Sequence, residues 1–310
     1  MTVQIFIPTY NRASKLKAAI TSCQNQTYSN IEIIVLDNHS NDDTPETIAK
    51  LMVEDKRIRH IRHEANIGML ANFNSIRRLV TADYFTVLTD DDTYEPWYID
   101  TAINIFKSNN GISFVACNAP TKHHDAIVNS QLDKWQEGPY QANSNQAMYH
   151  CLKGKYPLMT NCLYKSIVAN DFVFHYETGN TSDGLLFVCL FAKYDSYVSK
   201  TITGYWNNDG TNASSTQKYH PIEHINTVIY HAVLYDKFCK KNNLKKRFFI
   251  STELKKLVAV LVAADHSSFN LIYKESLLSD YYNPLIIVLL RLAHILRILP
   301  LGLAIKAALR

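Results

Sequence analysis

Residues 84–96 read Y-F-T-V-L-T-D-D-D-T-Y-E-P: an apolar, β-forming run ends on Thr89 and three consecutive aspartates, Asp90, Asp91 and Asp92. Adjacent carboxylates repel and raise one another's pKa unless a cation or hydrogen-bond donors neutralise them. The cluster is therefore either solvated or built to hold a cation. Its place in the chain has to decide between the two.

Outward from this stretch, residues 3–7, 31–36 and 57–61 are further strand candidates, and residues 15–26, 44–53 and 69–80 between them carry helical spacing of apolar residues. That alternation predicts an α/β fold with a mostly parallel sheet flanked by helices. Ligands of such sheets bind at the C-terminal ends of the strands. Three polar segments fall there, residues 8–12, 37–43 and 89–92, and they should converge. Next come a predicted helix over 97–106, a strand over 112–116, and a stretch over 118–145 with little periodicity, read as a long loop or small insertion. A helix over 183–192 and one strand over 196–205 follow, then the turn-rich run 207–212.

A catalytic domain is assigned to residues 1–215, with a nucleotide half, 1–117, and an acceptor half, 118–215. Residues 216–310 read as a helical region, with helices over 222–241, 248–265, 270–278 and 284–310. The net charge of +4 conceals a division: residues 217–310 carry 14 Lys and Arg against 6 Asp and Glu, leaving 18 against 22 in residues 1–216. A basic region of +8 beside a body of −4 favours an anionic membrane surface or phosphate groups as partner, and not nucleic acid. The tail PLIIVLLRLAHILRILPLGLAIKAALR (284–310) is strongly apolar, but Arg291, His294, Arg297 and Pro300 interrupt it. That pattern suits an amphipathic anchor better than a bilayer span, with a homo-oligomer contact as the rival reading. Six scattered cysteines without a C-x-x-C pair read as core thiols of a reducing compartment. No export signal precedes the first strand, so the expected location is cytoplasmic, peripheral on the inner face of the cytoplasmic membrane.

The succession I-P-T-Y-N-R (7–12), V-L-D-N-H-S-N-D-D-T (35–44), N-I-G (66–68) and T-D-D-D-T-Y-E-P (89–96) resembles the inverting glycosyltransferases of family 2, which have the GT-A fold. The resemblance implies a nucleotide-sugar donor, with UDP favoured, and a glycan or lipid-linked glycan acceptor, as in bacterial capsule or lipopolysaccharide synthesis. It assigns Pro8, Thr9, Tyr10, Asn11, Arg12, Asn66, Gly68 and Asp90 to the nucleotide and Asp37 to the base. Mn²⁺ or Mg²⁺ falls to Asp91 and Asp92. Thr89 stands where the common form of the cluster has aspartate, so the first carboxylate is displaced or missing.

Further along, T-S-D-G-L-L (181–186) resembles the family's E-D-x-x-L element, which makes Asp183 the general base, with Ser182 in place of the first acidic residue. His175 and Glu177 are rivals by proximity. Where many relatives carry Y-R-x-H, this chain has Tyr205-Trp206-Asn207-Asn208, and Asn208 or Asp209 would replace the histidine. Asn212, Ser214 and Ser215 are candidate phosphate contacts. Two other readings compete. A sugar nucleotidyltransferase would open on a glycine-rich loop, which residues 7–12 lack; a catalytically silent membrane-associated partner would explain Thr89 and Ser182. With nine glycines and neither a Walker loop nor G-x-G-x-x-G, phosphates must be held by metal and side chains. His123-His124 lacks Cys or His partners at metal-ligand spacing and reads as a solvated loop.

Overall fold

The computed structural model describes residues 1–123, 126–128, 130–152, 154–176, 182–210, 235 and 237–244. The chain divides into two units, residues 1–174 with 186–216, and residues 175–185 with 217–310.

The first unit is built on an eight-stranded mixed sheet. Its N-terminal part alternates β1 (Val3–Thr9), α1 (Ala13–Gln24), β2 (Ile31–Asp37), α2 (Thr44–Glu54), β3 (Ile58–Arg62), α3 (Met69–Leu79) and β4 (Tyr84–Val87). Strands β3, β2, β1 and β4 lie side by side, all parallel, with Val3 to Thr9 in register with Ile31 to Asp37. The chain moves outward from β1 to β2 and β3, then returns to the other side of β1 as β4. That reversal opens the crevice of an α/β sheet. Strand β1 is buried along its whole length, as a central parallel strand must be. Its one polar interior residue, Gln4, is satisfied: Nε2 donates to Glu32 and Thr81, and Oε1 accepts the N–H groups of Thr81 and Ala82.

Alternation along the strands divides the core. Val3, Ile5, Ile7, Ile33 and Val35 pack with Leu16, Ile20 and Cys23 of α1, Ile48 and Leu51 of α2, and Tyr98, Ile99 and Ile103 of α4 (Tyr98–Ser108). A separate aromatic group joins Phe85 of β4 to Tyr164 and Phe172, Phe172 to Phe174, and Phe174 to Phe73 of α3.

After β5 (Thr93–Tyr94) and α4, the sheet is completed by β6 (Phe114–Asn118), β9 (Gly138–Tyr140), β10 (Cys162–Lys165) and β11 (Ser196–Ile202), in the order β4-β10-β6-β11-β9. Strand β10 is antiparallel to both β4 and β6, so the sheet is mixed beyond β4. The stretch read as a long loop or small insertion, 118–145, contains β7 (Thr121–His123), β8 (Ala126–Ile127) and β9; α5 (Asn145–Leu152) follows. The single strand expected over 196–205 is two strands. It breaks at Thr203, and β12 (Gly204–Asn207) joins a second sheet of order β5-β12-β7-β8. Just after the break glycine is required at position 204, because a β-carbon there would lie 2.6 Å from Asn161 Nδ2 and 2.7 Å from the Thr93 carbonyl oxygen.

In the second unit, the first turn of α6 (Ser182–Lys193) is described, and the Ser182 hydroxyl accepts the His175 N–H at 2.7 Å. Residues 237–241 are helical, and the turn after them closes through Leu244 N–H to Cys239 O at 2.8 Å. The predicted helices over 248–265, 270–278 and 284–310 lie outside the described residues. Among the described residues, no helix is long and apolar enough to cross a membrane. All six cysteines are free and buried, as the scattered spacing predicts.

The close approach at Gly204 yields a test of the two-sheet arrangement. Gly204→Ala must push the Thr93 backbone away, and overpacking of this kind costs about 1–3 kcal/mol. Urea unfolding should show that loss as a lower midpoint, and an unchanged midpoint would mean that β5 and β12 are not packed this closely.

Candidate active site

The three polar segments that end β1, β2 and β4 meet at the switch point, and hydrogen bonds bind each to the next. Asn11 takes a left-handed φ of 52°, a conformation asparagine tolerates better than most residues. In that position its N–H donates to Ser40 Oγ (2.9 Å), while its side-chain oxygen accepts the Asn41 N–H (2.8 Å). Arg12 N–H donates to Thr44 Oγ1 and Ala13 N–H to Asp42 Oδ2, each at 3.3 Å. The loop after β1 is thereby fixed to the loop after β2.

Asp37 closes β2 with no exposed surface. One carboxylate oxygen accepts the Ser40 N–H at 2.8 Å; the other faces His60 Nε2 at 3.3 Å and Arg62 Nε at 3.2 Å. Burial opposes its ionisation, yet hydrogen bonds from His60 and Ser40 outweigh it and bring the pKa down to about 2. The residue expected to contact a base thus also organises the β2–β3 rim, and it does not cap α2, whose Thr44 N–H is held by Asp42. Asn66 and Gly68 join the same rim. Asn66 Oδ1 accepts from Asn38 Nδ2 (2.8 Å) and from the Gly68 N–H (2.9 Å), and Gly68 has a φ of 86° that favours glycine. Tyr10 presents its ring to solvent.

The aspartates that end β4 face different ways. Asp90 is buried and accepts from Thr9 Oγ1 at 2.7 Å and from Arg12 Nη1 at 3.2 Å. Asp91 lies nearer the surface, its Oδ2 at 2.8 Å from the same Arg12 nitrogen. Asp92 points inward, where Thr89 Oγ1 (2.6 Å) and the Asn207 N–H (2.9 Å) occupy its two oxygens. Burial, reinforced by the charge of Asp91, pushes the carboxyl of Asp92 up to about 8. Burial also lifts Asp90, to about 6, against the pull of Thr9 and Arg12. Thr89, standing where the expected pattern has aspartate, is a donor to Asp92.

Asn207 reaches the cluster from β12, its side chain donating to the Asp91 carbonyl at 2.9 Å. Sequence reading passed it over for its neighbours. Asp209 instead pairs with Lys15 at 2.8 Å, and Asn208 Oδ1 accepts the Gly210 N–H. In the second unit, Asp183 lies in the first turn of α6, and its Oδ1 accepts the Gly184 N–H at 2.8 Å. Glu177, Asn212, Ser214 and Ser215 lie outside the described residues.

Among the described residues no three acidic, His or Cys side chains form a metal cage. The donor set still fits a small divalent cation: Asp91 offers hard oxygen near the surface, and one guanidinium faces two carboxylates with a third behind them. Mg²⁺ and Mn²⁺ need one or two carboxylates when phosphate and water supply the rest.

Residues 4–159, half of the chain, match the family model of Glycosyl transferase family 2. The chain belongs to that family. Among curated relatives, a GalNAc(5)-diNAcBac-PP-undecaprenol beta-1,3-glucosyltransferase of Campylobacter jejuni is 32% identical over 117 residues, 37% of each chain. An uncharacterised glycosyltransferase of Rickettsia typhi is 40% identical over 116 residues, 37% of this chain and 35% of that one. The chain thus spans little more than a third of the length of these relatives. Among solved structures, S. aureus TarS 1-349 in complex with UDP-GlcNAc superposes with a TM-score of 0.63 at 16% identity, covering 86% of this chain and 74% of that one. A mannosyltransferase of Pyrobaculum calidifontis in complex with GDP-Man and Mn²⁺ gives 0.53 at 13% identity, over 99% and 85%. At such identities the likeness is one of fold, the GT-A-type mixed sheet.

The buried Asp37 has a signature in acid. Its pKa is lower folded than unfolded, so its contribution is complete above about pH 4 and disappears as pH falls toward 2. The contribution amounts to at most ~2.5 kcal/mol, less where solvent screens its partners. The stability advantage of wild type over Asp37→Asn should therefore narrow between pH 5 and pH 3 in urea titrations. A gap that stays constant across that range would show that Asp37 is not held as an ionised, hydrogen-bonded carboxylate.

Proposed function

We propose that this family 2 protein transfers a sugar from a nucleotide donor, a UDP-sugar, to a hydroxyl of a glycan or lipid-linked glycan, with inversion at the anomeric carbon. The observation that carries the reading is the convergence of residues 9–12, Asp37 and Asp90–Asp91 on one switch point at the strand ends. TarS, in complex with UDP-GlcNAc, supports the choice of donor, and the name of the Campylobacter relative supports a lipid-linked acceptor.

In this reading the nucleoside lies along residues 8–12 and the Asp37–Gly68 rim, where the exposed ring of Tyr10 offers a stacking face. The diphosphate lies toward Arg12 and the aspartates. A divalent cation, Mn²⁺ or Mg²⁺, would be held by Asp91, with Asp90 beside it, and would supply charge to the leaving diphosphate. Asp92, occupied by Thr89 and Asn207, supports the cluster from behind. The acceptor oxygen forms a bond to the anomeric carbon as the bond from that carbon to the diphosphate oxygen breaks. The electron pair leaves with the phosphate, and Asp183 takes the hydroxyl proton. The basic region beyond residue 216, with the tail 284–310, is assigned to an anionic membrane surface, where each basic residue adds about 1 kcal/mol.

Two experiments test this. With UDP-sugars screened as donors, Asp183→Asn should lower turnover by roughly 10²–10⁴-fold, as expected for a positioned general base, and leave UDP affinity unchanged. Full turnover in the variant would remove Asp183 from the reaction. Deleting residues 284–310 should abolish co-sedimentation with anionic vesicles and preserve UDP binding. Vesicle binding that survives the deletion would refute the tail as the anchor.

A further inference from the structure

The small sheet β5-β12-β7-β8 turns one face toward the aspartates, and that face carries a cation with no part in the site described so far. Asn207 identifies the face, because its side chain donates to the Asp91 carbonyl at 2.9 Å. Residues opposite one another on neighbouring strands, and residues two apart along a strand, share a face. Tyr205 stands two positions before Asn207, Thr93 pairs with Tyr205, and Lys122 of β7 pairs with Asn207, so all four belong to it. The contacts agree with the register: Asn207 Nδ2 reaches Thr93 Oγ1 at 3.5 Å, and Lys122 Nζ lies 5.6 Å from the centre of the Tyr205 ring. Each of the four is half-buried. Among the described residues Lys122 has no acidic partner, its ammonium resting on the ring alone. Glu95 is engaged elsewhere on this face: burial and then this neighbouring carboxylate raise the pKa of the Tyr205 hydroxyl, which donates to it. Arg12 and Lys15, cations of the same crevice, already face Asp90, Asp91 and Asp209.

We propose that Lys122 binds an acidic group on the transferred sugar, so that the donor is a nucleotide-linked sugar acid of the uronic acid class. The inference rests on the assignment of the donor diphosphate to the aspartates. Position favours the sugar over the diphosphate as the partner of Lys122. Its ammonium is drawn back over Tyr205, two residues or about 7 Å along β12 from the residue that touches the aspartates. A sugar ring bridges such an interval, and a phosphate held at the aspartates does not. Charge favours an acid over a neutral sugar. A half-buried ammonium attracts a carboxylate more strongly than it would in bulk water, and the hydrogen bond between them is charge-assisted. On a face that otherwise offers Thr93, Asn207 and the Tyr205–Glu95 pair, Lys122 is the group that meets a negative charge. The tyrosine ring beneath it holds the ammonium in place by a cation–π contact without neutralising it.

The test is titration calorimetry of the full chain with Mn²⁺ and without acceptor. The ligands are UDP and two matched pairs, UDP-glucose with UDP-glucuronate and UDP-galactose with UDP-galacturonate, whose members differ only at C6. In one pair or both, wild type should bind the acid about tenfold more tightly, the equivalent of ~1.4 kcal/mol. Lys122→Met should erase that preference and leave the affinity for UDP unchanged. Lys122→Gln, polar and neutral, should do the same and keeps the test open if methionine disturbs β7. Lys122→Arg, which retains a cation, should retain the preference. Wild type that binds UDP yet prefers neither acid refutes the inference and leaves the UDP-sugar reading in place. A preference that survives in both neutral variants also refutes it. So does a loss of UDP affinity equal to the loss of acid affinity, which would assign Lys122 to the diphosphate. No binding of UDP or of any of the four sugars overturns the donor reading as well.

Discussion

Carboxylates packed at the end of a buried strand repel one another, and burial raises the cost of charging each of them. The switch point is arranged around that repulsion. Strand β4 delivers Asp90 to Asp92 into a crevice where Thr9 and Arg12 meet the first, Arg12 the second, and Thr89 with Asn207 the third. These donors come from three separate parts of the chain, residues 9–12, 89 and 207. Burial still prevails, because the pKa values of Asp90 and Asp92 lie above the usual carboxylate range in spite of every donor. Added positive charge would relieve that excess. The crevice meets part of that excess with its own arginine, Arg12, against Asp90 and Asp91.

Sequence reasoning found what local pattern controls. Strands β1, β2 and β4, helices α2 and α3, and the convergence of three strand ends follow from apolar runs and helical spacing, because parallel strands buried on both faces leave a continuous signal. It did not find β10, four residues long and inserted antiparallel between β4 and β6, since its paired residues lie 46 or more positions away in sequence. The break at Thr203 was equally hidden, because the clash that requires Gly204 is with Asn161 and Thr93. A run of β-formers reads as one strand unless those partners are known.

The site divides along the same line. That residues 8–12, 37 and 90–92 belong together was legible from motif order. Which aspartate faces outward was not, because three identical side chains in a turn carry no internal label. Asn207 supplies it from 115 positions downstream, holding Asp92 inward and leaving Asp91 nearer the surface. Asp37 shows the same limit, since its engagement by His60 and Arg62 depends on β3 lying parallel beside β2.

A helix N-terminus is a common phosphate site, because its first N–H groups lack partners and its dipole attracts anions. Helix α1 begins directly beneath this crevice, yet here the protein's own acidic loop takes that position. Ala13 N–H, at the first residue of the helix, points to Asp42 Oδ2, and the Arg12 N–H just before it is held by Thr44 Oγ1. Asp42 in turn has its pKa lowered by hydrogen bonds from Thr44 and Ala13 that overcome its partial burial. With these donors occupied and no glycine-rich loop in the chain, the backbone has little left to offer a diphosphate. In the proposed reading the charge of a diphosphate would be met by side chains and by an ion. A long guanidinium at position 12, already set against Asp90 and Asp91, suits that reading better than a fixed ring of amides.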